Sequence, residues 1–193
     1  MEGLGCFYYQ NSDLYLGQVK ENMANGYGVY NCRSGSKYQG QWLNDLQHGI
    51  GYECWPDGQI YMGSYKEGLQ DGFGIWLWPE GNAYQGNWNE GDMHGHGCYS
   101  WNDGQIYQGQ WNRNQMDGKG RIEWADGRVY EGHFERNERH GYGEYMFSDG
   151  TVYKGAFANN LQHGRGTYIS HGQVVHGIWN RGNLEDNFDY SSH

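Results

Sequence analysis

A tyrosine followed two residues later by a glycine returns every 23 residues in this chain, at Tyr15/Gly17, Tyr38/Gly40, Tyr61/Gly63, Tyr84/Gly86, Tyr107/Gly109, Tyr130/Gly132 and Tyr153/Gly155, without a slip. A strict period of this length describes one small unit copied in tandem, each copy stacking on its neighbours. Within the copy that opens at Tyr84, Tyr84, Gly86 and Trp88 alternate with Gln85 and Asn87, the period-2 pattern of a short strand. A polar loop is expected from Asn89 to His94. Gly95, Gly97, Tyr99 and Trp101 then alternate with His96, Cys98 and Ser100 as a second strand, and Asn102-Asp103-Gly104 carries turn chemistry. The unit reads as a β-hairpin.

Two residues after each strand glycine stand Val19, Trp42, Tyr65, Trp88, Trp111, Phe134 and Phe157, and the second strands carry glycine pairs from Gly26/Gly28 to Gly164/Gly166. Glycine inside a strand costs roughly 0.5–1 kcal/mol, so three per unit need a physical reason. The reason expected is room: without a Cβ, each glycine lets a ring from the neighbouring strand lie across the backbone. The predicted fold is therefore all-β, an elongated, single-layer, twisted antiparallel sheet of tandem hairpins, aromatic on one face. At roughly 10 Å per hairpin it would reach about 70–80 Å. Leu and Met residues near the loops, Met23, Leu46, Leu69, Met93, Met116 and Leu161, are expected to fold back over the aromatic row.

Gly3, Gly5 and Tyr9 match the second half of a unit, so residues 1–14 read as a partial repeat. The array runs over 15–179, with copies starting near 15, 38, 61, 84, 107, 130, 153 and 175. In the last of these, Val175, Gly177 and Trp179 arrive one residue early. Residues 180–193 carry no repeat marks and are expected to form a loose tail.

Composition narrows the function classes. Mean hydropathy is −1.00, yet 18 Tyr, 9 Trp and 6 Phe supply the buried area that aliphatic residues give elsewhere. The net charge of −10 argues against nucleic acid and weakens any case for anionic lipid. The charge is uneven, with four basic against twelve acidic residues over 1–112. The acidic start and the lack of an apolar run predict no export signal, and Cys6, Cys32, Cys54 and Cys98 form no C-x-x-C pair. They read as reduced cytoplasmic thiols.

The Y-x-G-x-W, G-x-G, D-G register at 23 residues resembles the MORN repeat from Gly3 to Trp179. The resemblance implies an array that acts as a non-enzymatic scaffold or adaptor for other proteins, often dimeric, at cytoskeletal, ciliary or axonemal structures. The alternative it offers, a peripheral module that contacts phospholipid, is disfavoured by the acidic charge. No effector domain of the kind fused to such repeats in some relatives is expected in the residues outside the array.

No catalytic, cofactor or metal site is legible. The row Asn25, His48, Asp71, His94, Asp117, His140, His163 suggests acid–base chemistry, but successive members should lie about 10 Å apart, too far for proton transfer. Local hydrogen bonds that close each loop are the expected role. His94 and His96 share i, i+2 spacing, which could hold a metal with a third ligand from another chain, and exposed side chains are the expected reading of both. On the opposite face, the residues between the second-strand glycines are apolar in the leading repeats, Tyr27/Val29, Ile50/Tyr52 and Phe73/Ile75/Leu77, then turn polar at His96/Cys98/Ser100 and Lys119/Arg121/Glu123. This strip is either a docking surface or core covered by a curl of the sheet. The row Trp42, Tyr65, Trp88, Trp111 and Phe134 reads as packing, with a ring-lined groove for an extended peptide as the alternative reading. Free strand edges leave a route to a homodimer.

Overall fold

The computed structural model describes residues 2–188, and the regular elements among them are seventeen β-strands. The chain forms two compact units, residues 1–95 and 96–193. The first holds β1 (Glu2–Tyr8), β2 (Leu14–Lys20), β3 (Met23–Asn31), β4 (Lys37–Leu43), β5 (Leu46–Cys54), β6 (Ile60–Lys66), β7 (Leu69–Leu77) and β8 (Ala83–Asn89). β9 (Asp92–Ser100) carries the chain into the second, which holds β10 (Ile106–Asn112), β11 (Gln115–Glu123), β12 (Val129–Glu135), β13 (Glu138–Met146), β14 (Val152–Ala158), β15 (Leu161–Ser170), β16 (Gln173–Asn180) and β17 (Asn183–Phe188). Within each unit every strand pairs antiparallel with the next, giving an open single layer.

The register places glycine against glycine. Gly5, Gly17, Gly28, Gly40, Gly51, Gly63, Gly74 and Gly86 are successive partners in the first unit. Gly109, Gly120, Gly132, Gly143, Gly155, Gly166 and Gly177 are successive partners in the second. A repeat tyrosine lies over this bare strip. Its ring covers the glycine two residues ahead on its own strand and the one opposite, rather than coming only from a neighbouring strand. A Cβ at Gly28 would sit 2.4 Å from the Tyr15 ring. The hydroxyl donates to the carbonyl three residues on, as in Tyr15 to Gln18 at 2.7 Å and Tyr130 to His133 at 2.8 Å. All seven tyrosines are fully buried. Burial pushes the hydroxyls of Tyr15, Tyr130 and Tyr153 up to about 12.

Rings from the opening strands wedge between the tyrosines edge to face. Tyr38 meets Trp42 and Tyr65, each at 5.1 Å, and Tyr130 meets Phe134 at 5.2 Å and Phe157 at 5.0 Å. Such pairs add about 0.5–1.5 kcal/mol each beyond the area they bury. Val19, where the first copy lacks this ring, is still buried, in a cluster with Tyr15 and Ala24 that Phe7, Tyr30 and Trp42 pack against.

The loops are shorter than the sequence suggests. Asn89–His94 is not a loop: β8 and β9 are joined by Glu90 and Gly91 alone, at φ of 50° and 89°. Two left-handed residues in a two-residue turn match the twist of the flanking strands. Met23, Leu46, Leu69, Met93, Met116 and Leu161 consequently lie in the first two positions of second strands, and Leu46, Leu69 and Leu161 stay exposed instead of covering the rings. The other turns follow the Asp-Gly marks. Gly58 N–H donates to Trp55 O at 2.9 Å and Asp57 Oδ1 accepts from Gln59 N–H at 3.1 Å. Between β15 and β16 the turn is His171-Gly172 alone, which removes one residue and accounts for the early arrival of Val175.

The tail expectation is corrected for part of its length. Asn183–Phe188 forms β17, paired with β16, and Leu184 Cδ1 lies 2.4 Å from where a Gly177 Cβ would stand. Leucine there takes the place over glycine that tyrosine holds elsewhere. Asn180 closes β16, Arg181 and Gly182 make the turn into β17, and residues 189–193 of the expected tail lie outside the described residues.

Candidate functional site

Alternation along β3, β5 and β7 turns Tyr27, Ile50 and Phe73 away from the rings, and they are 55%, 60% and 52% exposed. Tyr52 is exposed as well, while Val29, Ile75 and Leu77 are half-buried. The strip is therefore an open apolar surface of the first unit. Two members went unseen in the sequence because they lie on opening strands. Leu16 pairs with Val29, and Met62 pairs with Tyr52 on one side and Ile75 on the other; both are exposed. The signal for them was in the register, which places position 16 beside position 29.

In the second unit the same face is mostly polar, with Ile106, Tyr142 and Met146 as exposed apolar members. Gln108, Lys119, Arg121, Glu131, His133, Tyr142 and Glu144 line a depression of about 840 Å³. Arg121 pairs with Glu123 at 2.8 Å and Lys154 with Glu144 at 2.8 Å, exposed ion pairs that each add little stability.

On the ring face, Tyr65, Trp88, Trp111 and Phe134 are buried, and Trp42 is half-buried. Around Trp42 the first unit has a groove of about 800 Å³ whose lining includes Tyr9, Tyr30, Trp42, Asp45 and Glu53. Glu53 interrupts the ring row and accepts from Tyr65 Oη at 2.8 Å; burial raises its pKa and that hydrogen bond opposes the rise. Asp13 is buried. It accepts from the Tyr30 hydroxyl and, at 2.8 Å, from Arg33 N–H, and these bonds hold its carboxyl below the usual range.

The His/Asp row does not converge. Asn25 Nδ2 donates to Asn44 Oδ1 at 3.1 Å and Asp71 Oδ2 accepts from Glu90 N–H at 3.5 Å, so these side chains reach the tip of the following hairpin rather than their own. His140 instead faces Glu135 of its own hairpin at 3.5 Å, and His48 Nδ1 is buried without a partner. His94 and His96 are both exposed. Among the described residues no three His, Cys, Asp or Glu side chains come together, and the four cysteines form no disulfide.

A comparison with curated protein sequences found no match. Among solved structures, the TCP10 domain of CPAP from Danio rerio is similar at 13% identity and a TM-score of 0.52, over 96% of this chain and 88% of that one. The G-box domain of the microcephaly protein CPAP, whose structure is described as suggesting a role in centriole elongation, is similar at 12% identity and a TM-score of 0.51, over 92% of this chain and all of that one. At these identities the likeness is one of fold. The MORN repeat matches seven consecutive stretches, residues 15–37, 38–60, 61–83, 84–106, 107–127, 130–152 and 153–174. The match covers most of the chain, and its copies open on the tyrosines that the structure seats over glycine: the chain belongs to the MORN repeat family.

Proposed function

We propose that this chain is a non-enzymatic scaffold that holds partner proteins through the apolar strip of its first unit, as part of a larger cytoplasmic assembly of cytoskeletal, ciliary or axonemal type. The observation that carries the reading is the exposure of Tyr27, Ile50 and Phe73 in one line across β3, β5 and β7. A line of large apolar side chains left in water favours a partner that covers it. Its spacing also favours one shape of partner. Successive members are two strands apart, roughly 9.6 Å, and a helix advances about 10.5 Å in seven residues. An amphipathic helix laid across the strands would therefore meet each side chain in turn. The cellular setting rests on what MORN-repeat scaffolds are associated with, and on a fold shared with a protein described in relation to centriole elongation.

The test is capture from native cells with the full chain and with an Ile50→Ser, Phe73→Ser variant, followed by mass spectrometry. Because both side chains are exposed, the variant should unfold in urea within about 0.5 kcal/mol of the parent per site. The reading requires that a defined set of proteins is lost from the variant. Retention of the whole set, or a variant that no longer folds, would refute it.

A further inference from the structure

Arg139 of β13 shows what the ring face can hold. Its guanidinium lies 5.0 Å from the Tyr145 ring centroid, 5.7 Å from Tyr130, 5.7 Å from Phe157 and 5.9 Å from Trp124. Nη2 donates to the Asn160 carbonyl at 2.7 Å, and Asn160 Oδ1 accepts from Arg139 N–H at 2.9 Å. Four electron-rich faces and a carbonyl make a cage for a planar cation.

Counting back five repeats, the same positions hold Tyr9, Tyr15, Tyr30, Trp42 and Asp45, with Ala24 where the arginine stands. The frame keeps an aromatic residue at all four ring positions, and its spacings are close. Tyr9 and Tyr30 lie 5.9 Å apart against 5.8 Å for Trp124 and Tyr145, and Tyr15 and Trp42 lie 5.2 Å apart against 5.0 Å for Tyr130 and Phe157. Asp45 Oδ1 accepts from Ala24 N–H at 2.6 Å, as Asn160 does from Arg139. The cover differs. Tyr145 and Phe157 are buried at 7% and 4% exposure, whereas Tyr30 and Trp42 are only half-buried and Tyr9 is 41% exposed. Of the counterparts of the rings that an arginine covers in the second unit, Tyr9, Tyr30 and Trp42 line the groove of about 800 Å³ in the first, while Tyr15 and Ala24 are buried beneath them.

We propose that this groove binds an arginine side chain presented by a partner protein. The substitution pattern gives the sign of the ligand: the amide Asn160 is replaced by the carboxylate Asp45, and Glu53 lines the same groove. Residues 1–112, with four basic against twelve acidic residues, draw a basic segment to this half of the chain. Tyr30 is fixed for the purpose by its bond to buried Asp13. Tyr30 and Trp42 are 6.0 Å apart, too close to sandwich a guanidinium, so the incoming group stacks on their outward faces beside Asp45. The site is on the opposite sheet face from the apolar strip and goes beyond the helix-docking reading, so either can fail without the other.

The experiment is a nuclear magnetic resonance titration of the full chain at low salt with the capped tripeptides Gly-Arg-Gly, Gly-Lys-Gly and Gly-citrulline-Gly. Saturable shifts are expected at the Trp42 indole N–H and the Ala24 and Asp45 amides. The arginine peptide should bind at least about fivefold more tightly than its neutral citrulline counterpart, and Asp45→Asn should weaken it about fivefold. Ala24→Arg, which supplies the guanidinium from within as Arg139 does, should abolish binding. Absence of saturable shifts at these groups, equal binding of the citrulline peptide, or full binding by Ala24→Arg would overturn the proposal. Should Ala24→Arg fail to fold, Asp45→Asn decides alone, an unchanged affinity being the refuting result.

Discussion

Gly143→Ala tests the rule by which tyrosine and glycine build this sheet. The backbone at Gly143 lies outside the left-handed region, so only space is at issue. A Cβ there would stand 2.5 Å from Tyr130 Cε2 and 2.5 Å from its hydroxyl oxygen. Carbon atoms sit comfortably at about 3.5–4.0 Å, so the ring must retreat by about 1 Å. It has nowhere to go, being fully buried between Phe134 at 5.2 Å and Phe157 at 5.0 Å. Overpacking of this kind costs about 1–3 kcal/mol, and the hydrogen bond from Tyr130 to His133 O, 2.8 Å long, is worth about 1 kcal/mol more. The expected loss is about 2–4 kcal/mol. Gly127→Ala is the control, because φ is +87° there and nothing lies within 4 Å of the added methyl; strain alone should cost about 1–2 kcal/mol. Urea unfolding followed by tryptophan fluorescence would give the difference, with hydrogen exchange of the β12–β14 amides alongside, since repeat arrays need not unfold in one step. Tyr130→Leu in the Gly143→Ala background should restore part of the loss, so the pair should be non-additive by about 1 kcal/mol or more. Additive costs, or a Gly143→Ala loss no larger than that of Gly127→Ala, would refute the reasoning.

Glu53→Gln should raise the melting temperature at neutral pH while keeping an acceptor for the Tyr65 hydroxyl. Burial raises the Glu53 pKa in the folded state, so folding takes up a proton. The parent chain therefore loses stability as pH rises from the unfolded carboxyl value, about 4.3, through the folded one. Melting curves of both proteins should converge below that range and separate above it; parallel curves would show that Glu53 is not the group responsible. Arg139→Ala should cost about 2–3 kcal/mol, from the stacking on four rings and the charged hydrogen bond to Asn160 O. Arg139→Met should recover part of it, since Met93 and Met116 hold the same repeat position. Chemical denaturation of the two variants checks the order.

What the sequence displayed openly was everything that recurs. Tyrosine at 23-residue intervals and glycine at fixed offsets reveal strands, partners and buried face together, because one spatial requirement, a ring over bare backbone, is met by the same letters in each copy. What it concealed was strand that lacks the repeat letters. The alternation of exposed and covered residues runs on across Gly95, where φ is 67°, but Asp92, Met93 and His94 carry neither glycine nor ring and so read as loop although they are strand. β17 was hidden for a related reason, since Val175 holds the tyrosine column of its hairpin and Leu184 fills the space over Gly177 instead of a ring. Leu16 and Met62 were missed because the apolar strip is continuous across strands and not along them.

The groove around Trp42 was the least visible, and the reason bears on how function enters a repeat array. Its residues, Tyr9, Tyr30, Trp42, Asp45 and Glu53, come from strands and turns of successive hairpins, so no stretch of sequence contains the site. It emerges only when one frame is compared with another that differs at Ala24 against Arg139, Asp45 against Asn160, Tyr9 against Trp124 and Trp42 against Phe157. Tyrosine and glycine are fixed by packing and can carry little information about partners. The columns beside them differ from copy to copy, as Ala24 and Arg139 do. With alanine in such a column the chain supplies no guanidinium of its own, and Tyr9, Tyr30 and Trp42 stay part-open to a side chain from outside. Specificity in this molecule therefore belongs to departures from the repeat, which makes Ala24, Asp45 and Glu53, rather than the seven tyrosines, the positions whose exchange should redirect binding without unfolding the sheet.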